Sequence, residues 1–141
     1  MTRWFSVALD RYRHSLRLRH WAPHLATGRR GEDLAHRFLE RNGWRIVARN
    51  YRTHSGAGEI DLIAWEGSTL VFVEVKTRTS DAVSAPERNV DAGKGRRMRI
   101  GIHDYLRRLH RFSGDWRSDL ITIVLEPCVN ITHYRGAFSR T

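Results

Sequence analysis

The segment 71–78, VFVEVKTR, constrains the fold more than any other part of the chain. Apart from Glu74, its first five residues are apolar and mostly β-branched, and this pattern predicts a strand buried in a sheet. Because side chains alternate along a strand, Glu74 and Lys76 share one face. Burying an unpaired charge costs on the order of several kcal/mol. A buried strand that carries both groups therefore needs partners for them.

The apolar periodicity of the rest of the chain predicts an α/β fold, in which a mixed sheet is flanked by helices in the order α-β-β-β-α-β. Short connections join the first three strands, so we expect them to form an antiparallel meander. Residues 79–93 are predicted to be irregular. The predicted helices are Thr27–Asn42 and Lys94–Phe112, and the predicted strands are Trp44–Tyr51, Glu59–Trp65, Thr69–Thr77, Asp119–Leu125 and, at an edge, Val129–Tyr134.

The first predicted helix has recognisable start and stop signals. Thr27 is a suitable cap, and Glu32 and Asp33 favour the positive end of the helix. Asn42-Gly43 is a typical stop. Glu32 borders the buried stripe of this helix instead of facing away from it. The expected buried residues are Leu34, Ala35, Phe38 and Leu39 in this helix and Met98, Ile102, Tyr105, Leu109 and Phe112 in the second.

Residues 1–26 are predicted to form a basic amphipathic extension that precedes one domain, 27–141. Four apolar residues fall at helical spacing among arginines, Asp10 is the only acid, and Pro23 marks a break. One interpretation is a helix docked on the domain, or a frayed tail. A second is a helix that binds a membrane surface or nucleic acid. An organelle transit peptide is a third. The apolar residues are Phe5, Leu9, Tyr12 and Leu16.

The formal net charge of +10 favours a polyanionic partner, with nucleic acid first and an anionic membrane surface second. The alternative is a genomic bias toward arginine, since only Lys76 and Lys94 among the 25 basic residues are lysine. Arginine stays protonated, whereas lysine is a compact charge whose pKa shifts on burial, so the use of lysine at position 76 suggests a chemical role. No apolar run reaches the length of a membrane span, so we expect no integral membrane association.

Metal chemistry based on cysteine or histidine is not expected. The single cysteine, Cys128, excludes an internal disulfide and a multi-cysteine zinc site, and it fits a reducing, cytoplasmic location. His20 and His24 are four residues apart, but Pro23 interrupts the helix that would pair them and no third ligand is evident.

A carboxylate pair is the strongest candidate for a chemical site. Asp61 and Glu74 lie on strands that a short turn makes neighbours, so we expect them close together. Glu74 and Lys76 should be ~6.6 Å apart along their strand. Two adjacent carboxylates repel unless a cation intervenes, and Mg²⁺ prefers one or two carboxylates with water and phosphate oxygens. Lys76 would orient and help to deprotonate the attacking water, and Glu32 would be a further ligand or order a water.

A purely structural explanation of these charges is also open. Val71, Val73 and Val75 could face inward while Glu74 and Lys76 form cross-strand ion pairs in solvent. Ion-pair networks of this kind can mimic active sites.

These residues resemble a known nuclease signature. An Asp on one strand followed by Glu-x-Lys on the next resembles the PD-(D/E)XK superfamily, whose restriction-endonuclease-like core has the order α-β-β-β-α-β. The segments GRRGEDLAHRFLERNGWRIVARNYR, GEIDLIA, VFVEVKTR and the closing AF are similar to the YraN family of small bacterial proteins. The resemblance covers residues 28–138, and the YraN family is similar to archaeal Holliday-junction resolvases.

The resemblance implies a Mg²⁺-dependent endonuclease that hydrolyses DNA, either branched or single-stranded, with Mn²⁺ as a substitute ion. It implies Asp61 and Glu74 as metal ligands, Lys76 as the water-activating residue and Glu32 as an auxiliary acid. Symmetric cleavage of a junction requires a homodimer. The basic residues expected around the phosphates are Arg29, Arg30, Arg78, Lys94, Arg96 and Arg97.

Three departures from the family pattern matter, and one of them is that residues 1–26 have no recognised counterpart in the family. Ile60 stands where the superfamily name has proline, and Gly95 stands where the family usually has glutamine. Gly95 should also weaken the start of its helix. The rival functions are a nucleic-acid-binding module that keeps the fold without catalysis, and a membrane-surface protein tethered by residues 1–20.

Overall fold

The computed structural model describes residues 9–17, 22–80 and 92–138. Five strands form one sheet in the order β1-β2-β3-β4-β5. Residues 9–17 are helical and are called α1. The other elements are α2 (Pro23–Arg41), β1 (Arg45–Arg52), β2 (Glu59–Glu66), β3 (Thr69–Ser80), α3 (Ala92–Arg108), β4 (Trp116–Glu126) and β5 (Asn130–Tyr134).

The sheet is mixed, as predicted. β1, β2 and β3 form an antiparallel meander. β3 and β4 are parallel, and α3 lies between them in the chain. β5 pairs antiparallel with β4 at the edge. The predicted α/β class and the order α-β-β-β-α-β are therefore confirmed.

Each face of the sheet packs against one helix. Ala35 and Leu39 of α2 share a cluster with Val71 and Val73 of β3. Phe72 of β3 points the other way and belongs to the second cluster, which contains Met98 and Ile102 of α3. β3 is thus covered on both faces, which explains its nearly continuous apolar sequence.

α2 begins four residues earlier than predicted, so the proposed cap at Thr27 is wrong. Pro23 begins the helix, where its fixed φ and missing N–H are tolerated, and the predicted break lies directly before it at the non-helical Ala22. The first turn holds no acid, and Glu32 and Asp33 lie in the middle of α2. The end of the helix was predicted correctly: Asn42 is the C-cap and Gly43 has a φ of 83°.

The bounds of α3 and β3 also differ from the prediction. α3 ends at Arg108 instead of Phe112, because His110 and Arg111 adopt positive φ values of 39° and 62°. Leu109 is consequently exposed, whereas Phe112 still packs against the α3 cluster. β3 extends to Ser80, so the predicted irregular segment loses its first two residues, and 81–91 lie outside the described residues.

α1 docks on α2 through charges. Asp10 is 4% exposed and accepts hydrogen bonds from Arg30 (3.0 Å) and Arg37 (3.4 Å). Arg17 donates to Asp33 at 2.6 Å. This arrangement agrees with the docked-helix interpretation, and the boundary drawn at residue 27 falls inside α2. The apolar side chains of α1 point outward instead: Leu9, Tyr12 and Leu16 are exposed.

Within the described ranges, no helix combines the length and the apolar character that a membrane crossing requires.

Candidate active site

The site forms where β2 separates from β3. The last paired residues of the two strands are Leu62 and Val73, although both strands continue beyond them. Here Oδ2 of Asp61 accepts a hydrogen bond from the backbone N–H of Val75 at 2.8 Å. The carboxylate therefore satisfies a strand N–H that the ladder leaves unpaired.

β2 changes face at Asp61. Leu62 packs in the α2 cluster, whereas Ile60, two residues earlier, packs in the α3 cluster. Residues two apart in a regular strand share a face, so the backbone must twist between them. In β1 the neighbouring Asn50 lies level with this point and has a positive φ of 50°. The predicted proximity of Asp61 to β3 thus arises from a twist and not from simple alternation.

Glu74 follows Phe72 on the face that packs against α3 and is only 6% exposed. Its Oε1 lies 3.2 Å from Nζ of Lys94, which stands in the first turn of α3. The same Nζ lies 3.8 Å from Oδ2 of Asp61. The two carboxylates therefore converge on one ammonium group. Their burial does not match a cross-strand ion pair in solvent.

The electrostatics of this cluster depend on burial. Burial raises the pKa of the Asp61 carboxyl to about 6, although Lys94 and the Val75 N–H oppose the shift; Glu32 and Glu74 raise the pKa further. Burial alone would lower the pKa of Lys94, but the charges of Asp61 and Glu74 outweigh it and the pKa is raised. Burial thus outweighs the stabilisation that Lys94 and the Val75 N–H give to the Asp61 carboxylate.

Two cavities, of ≈ 510 Å³ and ≈ 530 Å³, open on this cluster and share Glu32, Asp61 and Lys94 as lining residues. We call the two together the cleft. Lys76, Thr77 and Thr79 line one cavity, beside the carboxylates. The other is lined by Arg29, Asn50, Arg52 and Glu59, among others. The four predicted catalytic residues therefore meet at one place: Glu32, Asp61 and Lys76 line the cleft and Glu74 contacts Lys94 beside it.

Glu32 has ion-pair and hydrogen-bond partners of its own. Its Oε2 accepts hydrogen bonds from Arg29 (3.0 Å) and from Nδ2 of Asn50 (3.1 Å), and Arg49 lies 3.8 Å away. Gly31 allows this placement, because a Cβ at that position would meet Oγ1 of Thr77 at 1.7 Å. α2 can therefore approach β3 closely only with a glycine here.

The donor set fits Mg²⁺ with two protein ligands. Among the residues that the structure describes, no group of three His, Cys, Asp or Glu side chains is arranged to hold a metal ion. Mg²⁺ does not need one, since it binds through one or two carboxylates and keeps water and phosphate oxygens as its other ligands. Asp61 and Glu74 could supply those carboxylates, whereas Glu32 already accepts hydrogen bonds from Arg29 and Asn50.

The predicted phosphate-binding residues have different surroundings. Arg29 lines the cleft, and Lys94 stands between the carboxylates. Arg97 donates to Glu59 at 3.1 Å, at the edge of the cleft. Arg30 pairs with Asp10 of α1 instead. Arg78 is partly exposed and Arg96 is exposed, whereas Arg52 lines the cleft and was not predicted.

A second charged cluster, which the sequence interpretation missed, surrounds Asp119. This residue is 0% exposed and accepts hydrogen bonds from Nε of Arg117 (3.0 Å) and from the Gly136 N–H (2.9 Å). Nε2 of His133 lies 2.8 Å from its other oxygen. Burial would raise the pKa of Asp119, but these partners outweigh it and lower the pKa. Unlike the pKa of Asp61, the pKa of this carboxyl is therefore lowered, although the residue is buried.

The sequence is similar to a group of bacterial proteins. A family model described as "Uncharacterised protein family UPF0102" matches residues 31–123, a range that contains the carboxylates, both lysines and neither α1 nor β5. The UPF0102 protein of Solibacter usitatus is 49% identical over 114 residues, covering 79% of this chain and 84% of the relative. The UPF0102 protein of Koribacter versatilis is 43% identical over 82% of this chain and 80% of the relative. The UPF0102 protein of Rhodococcus opacus is 44% identical over 83% of this chain and 99% of the relative.

Proposed function

The chain belongs to the UPF0102 family, as the YraN resemblance predicted, and from this premise we propose that its cleft is the active site of a divalent-metal-dependent endonuclease acting on DNA. The family name states no activity, so the proposal depends on the chemistry of the site. One observation carries it: the buried carboxylate of Glu74 and the partly buried carboxylate of Asp61, on neighbouring strands, converge on a single ammonium at the wall of an open cleft.

Asp61 and Glu74 would hold Mg²⁺, with Mn²⁺ as a substitute. The bound ion would supply Lewis-acid activation of the scissile phosphate and of the attacking water. Asp61 is suited to this task because its hydrogen bond to Val75 fixes its orientation. Burial raises the pKa of its carboxyl, and the charge of Lys94 offsets that effect only in part.

The other residues of the cleft would bind and orient the substrate. Lys76 lines the cavity beside Asp61, where its ammonium can orient water and stabilise negative charge that develops on the phosphate. Glu32 is fixed by Asn50 and can order a second water. Arg29 and Arg52 line the adjoining cavity, where guanidinium groups can bind the phosphates on either side.

A non-catalytic nucleic-acid-binding module is the second candidate. Lys94 already forms ion pairs with both carboxylates, and a chain that uses these ion pairs only for stability would need no metal. Such a module would still attract nucleic acid through its net charge of +10.

A panel of labelled DNAs separates the two candidates. Linear duplex, single-stranded, flapped and four-way DNAs would be incubated with the full chain in Mg²⁺, in Mn²⁺ and in EDTA. The nuclease proposal predicts cleavage in either metal and none in EDTA, and the preferred DNA would identify the substrate. Binding of the same DNAs without cleavage in any metal would favour the binding module.

A further inference from the structure

We propose that Lys94 is a tethered cation that takes the place of the divalent ion when no metal is bound and must leave when that ion binds. This inference rests on the proposed function, since it concerns the same carboxylates. It assigns Lys94 a role different from the phosphate contact that the sequence suggested.

The geometry makes the two cations mutually exclusive. Nζ of Lys94 lies 3.2 Å from Glu74 Oε1 and 3.8 Å from Asp61 Oδ2, and so occupies the space that both carboxylates face. A Mg²⁺ ion shared by these oxygens would need to be about 2.1 Å from each. An ammonium held there would overlap the ion or its waters and would repel its charge. Binding of the metal therefore requires that Lys94 withdraw.

The choice of lysine supports this exchange. The chain has 25 basic residues, of which only Lys76 and Lys94 are lysine, and both line the same cavity. An ammonium is a point charge that can leave a carboxylate without breaking a planar, two-pronged hydrogen-bonded pair. The charged cluster around Asp119 uses arginine instead. There Arg117 forms a two-pronged pair with both oxygens of Asp119, at 3.0 Å and 3.1 Å.

Lys94 also has space to move. Its side chain is 40% exposed, whereas those of Asp61 and Glu74 are 14% and 8% exposed. It lines both cavities of the cleft, so a rotated side chain can enter either one. A Cβ at the adjacent Gly95 would meet nothing within 4 Å, so that side of the helix is open.

The exchange has a measurable consequence. A site that is occupied by its own ammonium for most of the time has a reduced apparent affinity for metal. Replacing Lys94 with methionine, which has a similar length and no charge, removes the competitor. We therefore expect Lys94→Met to bind Mn²⁺ more tightly than the wild type, by about fivefold or more.

The wild type and Lys94→Met, each as the full chain, are titrated with Mn²⁺ in the absence of nucleic acid. The concentration of free Mn²⁺ is measured by electron paramagnetic resonance. The matched control is Arg99→Met, which removes one positive charge from an exposed position on the same helix. Tighter binding in Lys94→Met alone supports the exchange. Unchanged or weaker binding in Lys94→Met, or an equal gain in Arg99→Met, overturns it.

Thermal unfolding provides a second readout. Lys94→Met should unfold at a lower temperature than the wild type in EDTA, because it leaves two carboxylates without their cation, and Mn²⁺ should raise its Tm by more than it raises that of the wild type. If Lys94→Met does not fold in EDTA, Lys94→Gln takes its place with the same expectation. An equal rise in Tm for variant and wild type contradicts the exchange.

Glu74→Gln separates this inference from the proposed function. If Glu74→Gln and the wild type bind Mn²⁺ equally, the cleft is not the metal site and both proposals fail. If Glu74→Gln loses Mn²⁺ while Lys94→Met shows no gain, only the exchange fails.

Discussion

Oδ2 of Asp61 accepts a hydrogen bond from the backbone N–H of Val75 at 2.8 Å, across the point where β2 and β3 cease to pair. One carboxylate thereby replaces a backbone acceptor in the sheet and still faces the cleft. The same contact positions Asp61 beside Glu74, the residue that precedes Val75 in β3. Fold and site are therefore linked through a single side chain.

This link predicts opposite effects for two substitutions of Asp61. Asp61→Asn keeps an oxygen that can accept the Val75 N–H, whereas Asp61→Ala leaves that N–H unpaired at a cost of about 1–3 kcal/mol. In EDTA at pH 8, Asp61→Asn should therefore be at least as stable as the wild type and Asp61→Ala less stable than Asp61→Asn. Urea unfolding followed by circular dichroism measures the difference.

The difference in stability between Asp61→Asn and the wild type should depend on pH. The pKa of Asp61 is about 6 in the folded chain, against an ordinary value of 3.8 in the unfolded chain. The Asp61 carboxyl therefore binds its proton more tightly in the folded chain. The stability contributed by this group is complete below about pH 4 and is lost as pH rises through 6. The advantage of Asp61→Asn should thus grow to about 2–3 kcal/mol above pH 6. A constant difference from pH 4 to pH 8 would contradict this account.

Asp119 should have the opposite pH dependence. Its partners outweigh its burial and depress its pKa, so its contribution to stability is present above about pH 4 and is lost as pH falls through the folded-state pKa. At pH 7, Asp119→Asn should cost about 3 kcal/mol, because Arg117 and His133 lose a buried charge. The difference in the free energy of unfolding between the wild type and Asp119→Asn should become smaller in acid. Glu126→Gln replaces an exposed carboxylate on the same strand, and its free energy of unfolding should not differ from that of the wild type in this way.

Two glycines should respond to alanine in opposite directions. Gly95 lies within α3 with open space around its Cβ position, so Gly95→Ala should stabilise the chain by roughly 0.5–1 kcal/mol. Gly31→Ala should destabilise it by about 1–3 kcal/mol, since the new Cβ would meet Thr77 Oγ1 at 1.7 Å and Thr77 is β-branched and stiff. Thermal denaturation tests both, and stabilisation by Gly31→Ala would disprove the close approach of α2 to β3.

The fold was predictable because its signals are local. The apolar runs of β2 and β3 and the helical stripe of Ala35 and Leu39 indicate which residues are buried, and short turns make successive strands neighbours. The error at the start of α2 has a local cause as well. Proline was treated as a break, although Pro23 satisfies the special requirements of a first turn.

The site was only partly predictable because its contacts are distant in sequence. The motif identified Asp61, Glu74 and Lys76, but the twist of β2 that directs Asp61 toward Val75 has no signature in the sequence. Lys94 reaches the carboxylates only because α3 begins beside them, and helix starts are poorly defined by periodicity. The partners of Asp119 come from β4, β5 and the residues after β5, and no spacing rule connects them.

The most direct test of the central claim compares the two carboxylate clusters in one cleavage assay. Glu74→Gln and Glu66→Gln each neutralise one carboxylate that contacts a basic side chain, the first beside the cleft and the second in the Asp119 cluster, where Arg117 and Arg135 bind it. The wild type and both variants would be purified in parallel and assayed with Mg²⁺ on the DNA cleaved best in the panel, so a contaminating nuclease would act equally in all three. We predict that Glu74→Gln loses cleavage while Glu66→Gln retains it. Equal cleavage by wild type and Glu74→Gln would contradict the account.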